Sequence, residues 1–303
     1  MNINRFFKPA MLLSALIILL AVVLTLCGRG INLGLDFAGG LSMPYDLGES
    51  TTQPQVAAVL GSAYNVSLQS AGQNEALVRI KSVGAEEIQN VQAQVTAKLQ
   101  SAYVNAQPTG DVSYVGPVAG ATLIKNAITS VLIASVLMLI YIAWRFDFHS
   151  GLAAVLALIH DVAVMLAFMV ILRDVIEMNS SFIAAALTIV GYSINDTIVI
   201  FDRIRENAKV KPELSRVELV DLSVKESFGR TIMTSITTLV TIIALYILGV
   251  AAIREFALPI IVGVIAGTWS SNLISGYIWA WLEEKFPKKE KSADDEDDED
   301  DDE

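Results

Sequence analysis

The sequence predicts a polytopic α-helical membrane protein: six transmembrane helices and one folded α+β domain outside the bilayer, between the first and second helices. Three observations predict it. Apolar runs long enough to cross a hydrocarbon core recur six times along the chain. The polar stretch 28–120 holds no such run and must fold in water. Lys and Arg crowd onto one set of loops and termini, as expected of a multi-pass chain. The composition agrees: 53% of 303 residues are hydrophobic, more than a soluble domain of this size needs.

The first span is read at 9–27, after a short N-terminal segment 1–8 that carries Arg5 and Lys8. A signal peptide is the rival reading, but the apolar region is long and no small-x-small cleavage site follows. Leu24-Thr25-Leu26-Cys27 faintly resembles a lipoprotein cleavage box, and bulky Leu26 before the cysteine argues against one. An uncleaved anchor is expected. Domain 28–120 alternates short elements. Leu41–Leu47 reads as a strand and Gln53–Leu60 as a helix. Asn65–Ser70 and Glu75–Lys81 read as paired strands about a turn at 71–74. Ala85–Ala102 is a helix with Ile88, Val91, Val95, Leu99 and Ala102 on one face, and Asp111–Val115 closes as a strand. That order, βαββαβ, is ferredoxin-like. Its strand edges suit capture of an extended peptide; a small packing domain without a ligand is the equal alternative.

Five further spans are read at 121–144, 150–172, 181–201, 231–250 and 256–281. Between the fourth and fifth lies an amphipathic, helix-prone loop, 202–229, with Val217, Leu219, Val220, Leu222 and Val224 expected on the membrane surface. Six spans place both termini on one side. With them go Arg145, Arg203, Arg205, Lys209, Lys211, Arg216, Lys225, Lys285, Lys288, Lys289 and Lys291, whereas the opposite short loops carry only Arg173 and Arg254. Both termini are therefore expected in the cytoplasm and domain 28–120 on the far side. The net charge of −11 comes almost wholly from 294–303 in the segment 282–303, expected to be a solvated, disordered acidic tail. A metal-buffering or partner-binding role is its alternative.

No basic face with interleaved aromatics points to nucleic acid. A single cysteine, Cys27, excludes a disulfide framework and a Cys-based zinc site. No P-loop, catalytic triad or metal-ligand cluster appears, so neither an enzyme nor a cofactor or metal site is expected.

Chemistry is expected at ionisable groups inside the spans. Asp196 lies seven residues before Arg203. At roughly 1.5 Å per residue its carboxylate sits about 10 Å below the charged rim, where an ionised acid costs about 3 kcal/mol. Arg230, at the start of the fifth span, falls at similar depth and is a candidate fixed counter-charge. A carboxylate that loses such a partner takes up a proton, which would couple proton movement to helix movement. Arg230, Thr234, Thr237 and Thr241 share one stripe, and Thr188, Tyr192 and Asp196 share another, so both could line a wet path. A static Asp–Arg pair between two spans is the alternative. His160-Asp161 in the third span is either a relay or an interhelical hydrogen bond. Gly263-x-x-x-Gly267 in the last span suits close helix packing.

Several motifs resemble those of the SecD/SecF family, accessory membrane subunits of the bacterial Sec translocase within the proton-driven RND superfamily, and of its smaller, SecF-type member. They are Gly34-Leu35-Asp36-Phe37-Ala38-Gly39-Gly40 after the first span; Val115-Gly116-Pro117 with Gly120 before the second; and His160-Asp161-Val162 in the third. The most specific are Gly191-Tyr192-Ser193, Asn195-Asp196-Thr197-Ile198-Val199 and Phe201-Asp202-Arg203-Ile204-Arg205-Glu206-Asn207. Arg230-Thr231 with Thr234-Ser235 completes the set. The resemblance implies an inner-membrane location, use of the proton-motive force in late protein export, and proton passage at Asp196 and Arg230. Asp161 is a lesser candidate, with Tyr192, Ser193, Asn195, Thr234 and Thr237 lining the path. It implies a SecD-like partner, contact with the SecYEG channel, YajC and the unfolded translocating polypeptide, and the separate rather than the fused form of the subunit. The acidic tail departs from the family pattern. Half of an RND-type lipid or small-molecule exporter, or a passive assembly scaffold, are the alternatives.

Overall fold

The computed structural model of the chain describes residues 3–68, 74–81 and 83–287. The turn expected at 71–73 and the acidic run 294–303 lie outside them. Helix α1 (Asn4–Leu26) begins before the expected span and carries Pro9 at its sixth position, where the missing N–H leaves Arg5 O without its intrahelical donor. A one-turn helix α2 (Leu35–Ala38) leads into the outer domain: β1 (Gly40–Asp46), α3 (Gln53–Leu60), β2 (Asn65–Leu68), β3 (Glu75–Lys81), a 3₁₀ turn (Ala85–Glu87) running into α4 (Ile88–Ala102), and the short strands β4 (Gln107–Pro108) and β5 (Ser113–Val115).

The sheet is antiparallel in the order β2-β3-β1, with β4 and β5 both on the free side of β1. This is the ferredoxin-like arrangement with its last strand broken in two. The break has a cause. Pro44 sits in the middle of β1, a central strand, and offers no N–H to that neighbour. The facing chain leaves register between Pro108, opposite Tyr45, and Ser113, opposite Ser42. Leu41, Met43 and Tyr45 alternate inward onto Val56, Leu60, Val95 and Leu99 to form the domain core. Ala102, expected on that face, is exposed, because α4 ends there. The Tyr45 hydroxyl finds Thr96 Oγ1 at 2.8 Å, and burial pushes its phenol up.

The bundle consists of α5 (Pro117–Arg145), α6 (Phe148–Ile171), α7 (Ser180–Val210), α8 (Arg216–Leu248), α9 (Ala251–Ser270), a π-helical turn (Ser271–Ser275) and α10 (Gly276–Lys285). With α1, six helical stretches are long and apolar enough to span a membrane, α9 to α10 forming one of them. Helices α6, α7 and α9 are central, whereas α5 and α8 turn most of their apolar surface outward. Segment 202–229 is a helical hairpin. Helix α7 runs on to Val210, and Ser215 caps α8 through a reciprocal box with Glu218. Leu219, Val220 and Val224 do not lie on a membrane surface; all three are buried, Val220 and Val224 in the bundle end with Ile204 and Tyr277. Asn207 Nδ2 donating to Ser223 Oγ (3.0 Å) and Glu226 Oε2 (2.9 Å) zips the hairpin shut. The last helix continues to Lys285, past the expected end at 281.

Two glycines join the outer domain to the bundle. Gly40 has φ +145°, and a Cβ there would lie 2.2 Å from Ile80 O. A Cβ on Gly120 would lie 2.4 Å from Phe37 O, so α2 rests directly on the backbone of α5. Either residue changed to Ala forces backbone apart. Gly40→Ala is expected to destabilise the outer domain by at least about 3 kcal/mol, read as earlier cleavage of residues 28–116 in limited proteolysis of the detergent-solubilised full chain.

Candidate functional site

The polar centre of the bundle is Asp161, on α6 and fully buried. Its Oδ2 accepts from Ser193 Oγ on α7 (2.5 Å) and Ser270 Oγ on α9 (2.9 Å), and its Oδ1 lies 3.0 Å from Nδ1 of His160. Three helices thus converge on one carboxylate. Small residues allow it: a Cβ at Gly263 would stand 2.4 Å from Ile189 Cγ1, and one at Gly267 3.0 Å from Ser193 Cβ. Glycine at both positions lets α9 press onto α7, and Ser270 follows one turn later.

Just beyond Ser270 the helix widens into the π turn, a distortion frequent at functional sites. Its polar residues face inward. Ser271 Oγ meets Thr197 Oγ1 at 2.9 Å, and Asn272 Oδ1 accepts from Thr231 Oγ1 at 3.0 Å. One turn back, Thr268 Oγ1 and Ser235 Oγ on α8 lie 2.6 Å apart. A hydroxyl seam therefore runs from the Asp161 node past the π turn to α8.

Asp196, on α7, borders this seam and is 2% exposed. Ser235 lies near its carboxylate, its hydroxyl engaged with Thr231 O and Thr268 Oγ1, and Arg230 exerts a Coulombic pull on it. Its Oδ2 is buried with no hydrogen-bond partner among the described residues. The pairing with Arg230 is thus electrostatic rather than a contact ion pair: Arg230 is exposed on the outer face of α8. The two acids differ in kind. Asp161 is saturated with donors, and Asp196 is left open.

The other expected path residues divide. Ser193 belongs to the Asp161 node. Tyr192 is half-buried, and its hydroxyl is buried without a partner. Asn195 is exposed on α7. Thr234 and Thr237 are exposed on α8, in line with Arg230, and donate to carbonyls of their own helix, Thr234 to Arg230 O (3.1 Å) and Thr237 to Met233 O (3.0 Å). Thr188 does likewise on α7. The bridging between helices falls instead to Thr231, Ser235 and Thr268. Thr268, Ser270, Ser271 and Asn272 were not singled out for chemistry by the sequence, although four polar residues within five of an apolar span are the signal that marks them.

The motif Gly34, Asp36, Phe37, Gly39, Gly40 is a joint between the outer domain and α7. Gly34 N donates to Met178 O (2.7 Å), and Met178 N to Asn32 O (2.8 Å). The Asp36 carboxylate accepts from Ser180 N (2.9 Å) and from the Ser180 hydroxyl, so it sits on the N-terminus of α7, where a negative charge is favoured. Phe37 is buried under α2, and Gly39 terminates that turn at φ +74°. A polar collar surrounds the joint. Lys81 Nζ reaches Glu177 (2.9 Å) and Asn32 Oδ1 (2.7 Å), Arg79 reaches Glu255 (3.1 Å), and Asn179 Nδ2 donates to Glu255 Oε2 (2.5 Å).

A six-helix membrane bundle with buried carboxylates at its centre and a ferredoxin-like domain jointed to one carboxylate-bearing helix defines an integral membrane protein of the transport class. Residues 94–285 match the family described as Protein export membrane protein SecD/SecF, C-terminal. The protein translocase subunit SecF of Rickettsia felis is 38% identical over 262 residues, covering 85% of this chain and 84% of that one. The chain belongs to the SecD/SecF family. It is also 35% identical to the translocase subunit SecDF of Thermus thermophilus, over 95% of its own length but 40% of that protein's. The crystal structure of SecDF from that organism, described as a translocon-associated membrane protein, superposes with a TM-score of 0.74 at 34% identity, covering 92% of this chain and 38% of that one. A second structure, SecDF in a super-membrane-facing form, gives 0.67.

The difference between the acids predicts unequal effects on stability. Asp161→Ala strands three donors in a buried site and is expected to cost about 3–5 kcal/mol. Asp196→Ala removes a poorly solvated carboxylate and is expected to stay within about 1 kcal/mol of wild type. Thermal unfolding of the two variants in one detergent compares them directly.

Proposed function

We propose that the chain is a SecF-type subunit of the Sec translocase, acting with a SecD-type partner to draw on the proton-motive force for late steps of protein export across the inner membrane. The supporting observation is Asp196: a buried, incompletely solvated carboxylate on a membrane span, within the field of an arginine on the next. Intramembrane acids of this kind mark ion pathways. His160 Nε2, the Tyr192 hydroxyl and Trp269 Nε1 are further buried groups without partners on the same three helices, polar sites of the sort ordered water occupies.

The asymmetry of Lys and Arg supports an orientation with both termini in the cytoplasm and the outer domain on the far side. The fused SecDF relative supports a second six-span half as partner. The face for it is at hand: Arg230, Thr234, Thr237 and Thr241 on α8, Thr188, Gly191 and Asn195 on α7, and most of α5 are exposed. Polar residues facing lipid are costly, and a partner's helices would cover them.

The joint at Asp36 gives the cycle a route outward. A proton crossing a potential of about 100 mV releases roughly 2.3 kcal/mol. The collar's side chains are mostly shielded from solvent, so their attraction is offset by the cost of desolvation, and the energy of one proton could tip one set of collar contacts into another. Emerging polypeptide held by the outer domain would then be moved, or kept from slipping back, in small steps.

Export into inverted membrane vesicles, with and without a protonophore, tests this. Asp196→Asn is expected to abolish the protonophore-sensitive part of export while the subunit still copurifies with its SecD-type partner. Arg230→Gln should do the same, and Arg230→Lys should retain a fraction. Undiminished proton-dependent export by an assembled Asp196→Asn complex would reduce the subunit to a scaffold.

A further inference from the structure

At the bundle end remote from the outer domain, α6, α7, α8 and α10 enclose an open cavity of about 690 Å³. Its composition is divided. One wall is aromatic: Phe146, Phe201 and Trp279. The rim carries Arg205 and Lys209, one helical turn apart on α7, and Arg216 at the first turn of α8. We propose that this cavity binds a phospholipid by its headgroup phosphate, an anionic phosphatidylglycerol in particular, with the start of an acyl chain against the aromatic wall.

Four observations carry the proposal. First, the cations are available. Lys209 and Arg216 have no carboxylate within ion-pairing distance among the described residues, and Arg205 donates only one N–H, to Arg145 O at 3.2 Å. Their nearest acidic neighbours in the cavity face other groups: Glu283 Oε1 lies 2.7 Å from His149 Nδ1, and Asp147 accepts from Ser150 N and Oγ at the start of α6. Asp147, His149 and Glu283 bring their ligand atoms within 4.8 Å of one another, but these bonds tie them to the fold. Second, Trp279 is 6% exposed, lines the cavity, and its Nε1 is buried with no acceptor. The N–H itself is shut off from solvent and does not open on the cavity, so Trp279 contributes its ring to the apolar wall. Third, the cavity sits where the chain changes from apolar to charged: Phe201 is followed at once by Asp202 and Arg203, and Trp281 and Phe286 flank Lys285, whose Nζ lies 4.8 Å from the Trp281 ring centroid. Aromatic belts of this kind mark the headgroup level of a bilayer. Fourth, the size suits the ligand. Small-molecule sites run from about 300 to 1,000 Å³, room for a glycerophosphate headgroup and the first methylenes of a chain.

A soluble phosphate would gain from the three cations but not from the aromatic wall, and it would not meet the protein at the depth of Trp279. Lipid satisfies both halves. Its phosphate would bridge the carboxyl-terminal extension of α7 to the first turn of α8, pinning the hairpin at the membrane surface.

The test uses the purified full chain in a nonionic detergent, titrated with a fluorescent short-chain phosphatidylglycerol and, separately, with the matching phosphatidylcholine. Saturable phosphatidylglycerol binding, stronger than phosphatidylcholine, is expected. The Lys209→Gln, Arg216→Gln double variant should weaken it about twenty-five-fold, from roughly fivefold per interfacial cation. Trp279→Ala, which removes a ring from the aromatic wall, should weaken it about fivefold. The Lys8→Gln, Lys225→Gln variant has the same net charge and should bind as wild type. Equal loss in that control would overturn the proposal, since attraction would then be diffuse. Full displacement of the lipid by millimolar inorganic phosphate would overturn it in favour of a soluble anion. Binding that emerges only when the chain is cut after residue 287 would overturn it in favour of the acidic tail as occupant.

Discussion

Inside a bilayer a polar group is solvated by protein or not at all, and this structure follows from how two carboxylates meet that constraint. Asp161 meets it in full, with a hydroxyl from each of two neighbouring helices and an imidazole beside it. Leaving those donors unmade would cost more than forming the bonds returns. The three central helices are therefore locked in one register, and the glycines of α9 are required because only they let Ser270 come close enough. The serine and threonine hydroxyls of the seam extend the same logic, each accounting for a neighbour's lone pair or proton.

Against that rigid background Asp196 is the exception. It lies on the same helix as Ser193, one turn further along, yet one of its oxygens lacks a donor. An arginine in reach but not in contact adds a field without fixing a geometry. A saturated carboxylate resists change and an open one invites it, since a proton, a water molecule or a swung guanidinium would each complete its shell. The contrast separates scaffold from moving part. The sequence ranked Asp161 the lesser candidate for proton passage and offered an interhelical hydrogen bond as one reading of His160-Asp161; the bonds from Ser193 and Ser270 are of that second kind.

What the sequence made legible follows from what physics enforces locally. Span count and the βαββαβ order were readable because bilayer thickness fixes run length and strand pleating fixes alternation. The helix ends were not. Helices α7 and α8 run well past their apolar parts because the Ser215–Glu218 box and the Asn207–Ser223 bond carry them through polar territory. The closing strand split because Pro44 withheld a donor, a consequence visible only once β1 was known to be central. Asp161 and Asp196 stood out singly, as acids in apolar runs. Their partners did not, because Ser193 and Ser270 are 32 and 109 residues from Asp161 in sequence, and a serine in a membrane helix reads equally well as packing. For Thr234 and Thr237 the stripe is real, while their hydroxyls turn back to their own helix and the face stays open.

The same helix that carries Asp196 near its middle begins at Asn179 and Ser180, directly under the Asp36 carboxylate and the collar of Arg79, Lys81, Glu177 and Glu255. Helices transmit displacement along their axis better than loops do, because every backbone hydrogen bond resists compression. Any axial shift of α7 would therefore arrive at its N-terminus, where ion and hydrogen-bond contacts rather than an apolar core meet the outer domain. Gly120, which lets α2 rest on α5, and Gly40, which packs β1 onto β3 and α2, would keep the domain attached while those contacts exchange. Rigid attachment at one point and soft contact around it make a pivot. That is the arrangement needed if events at a single buried acid are to move a domain lying outside the membrane.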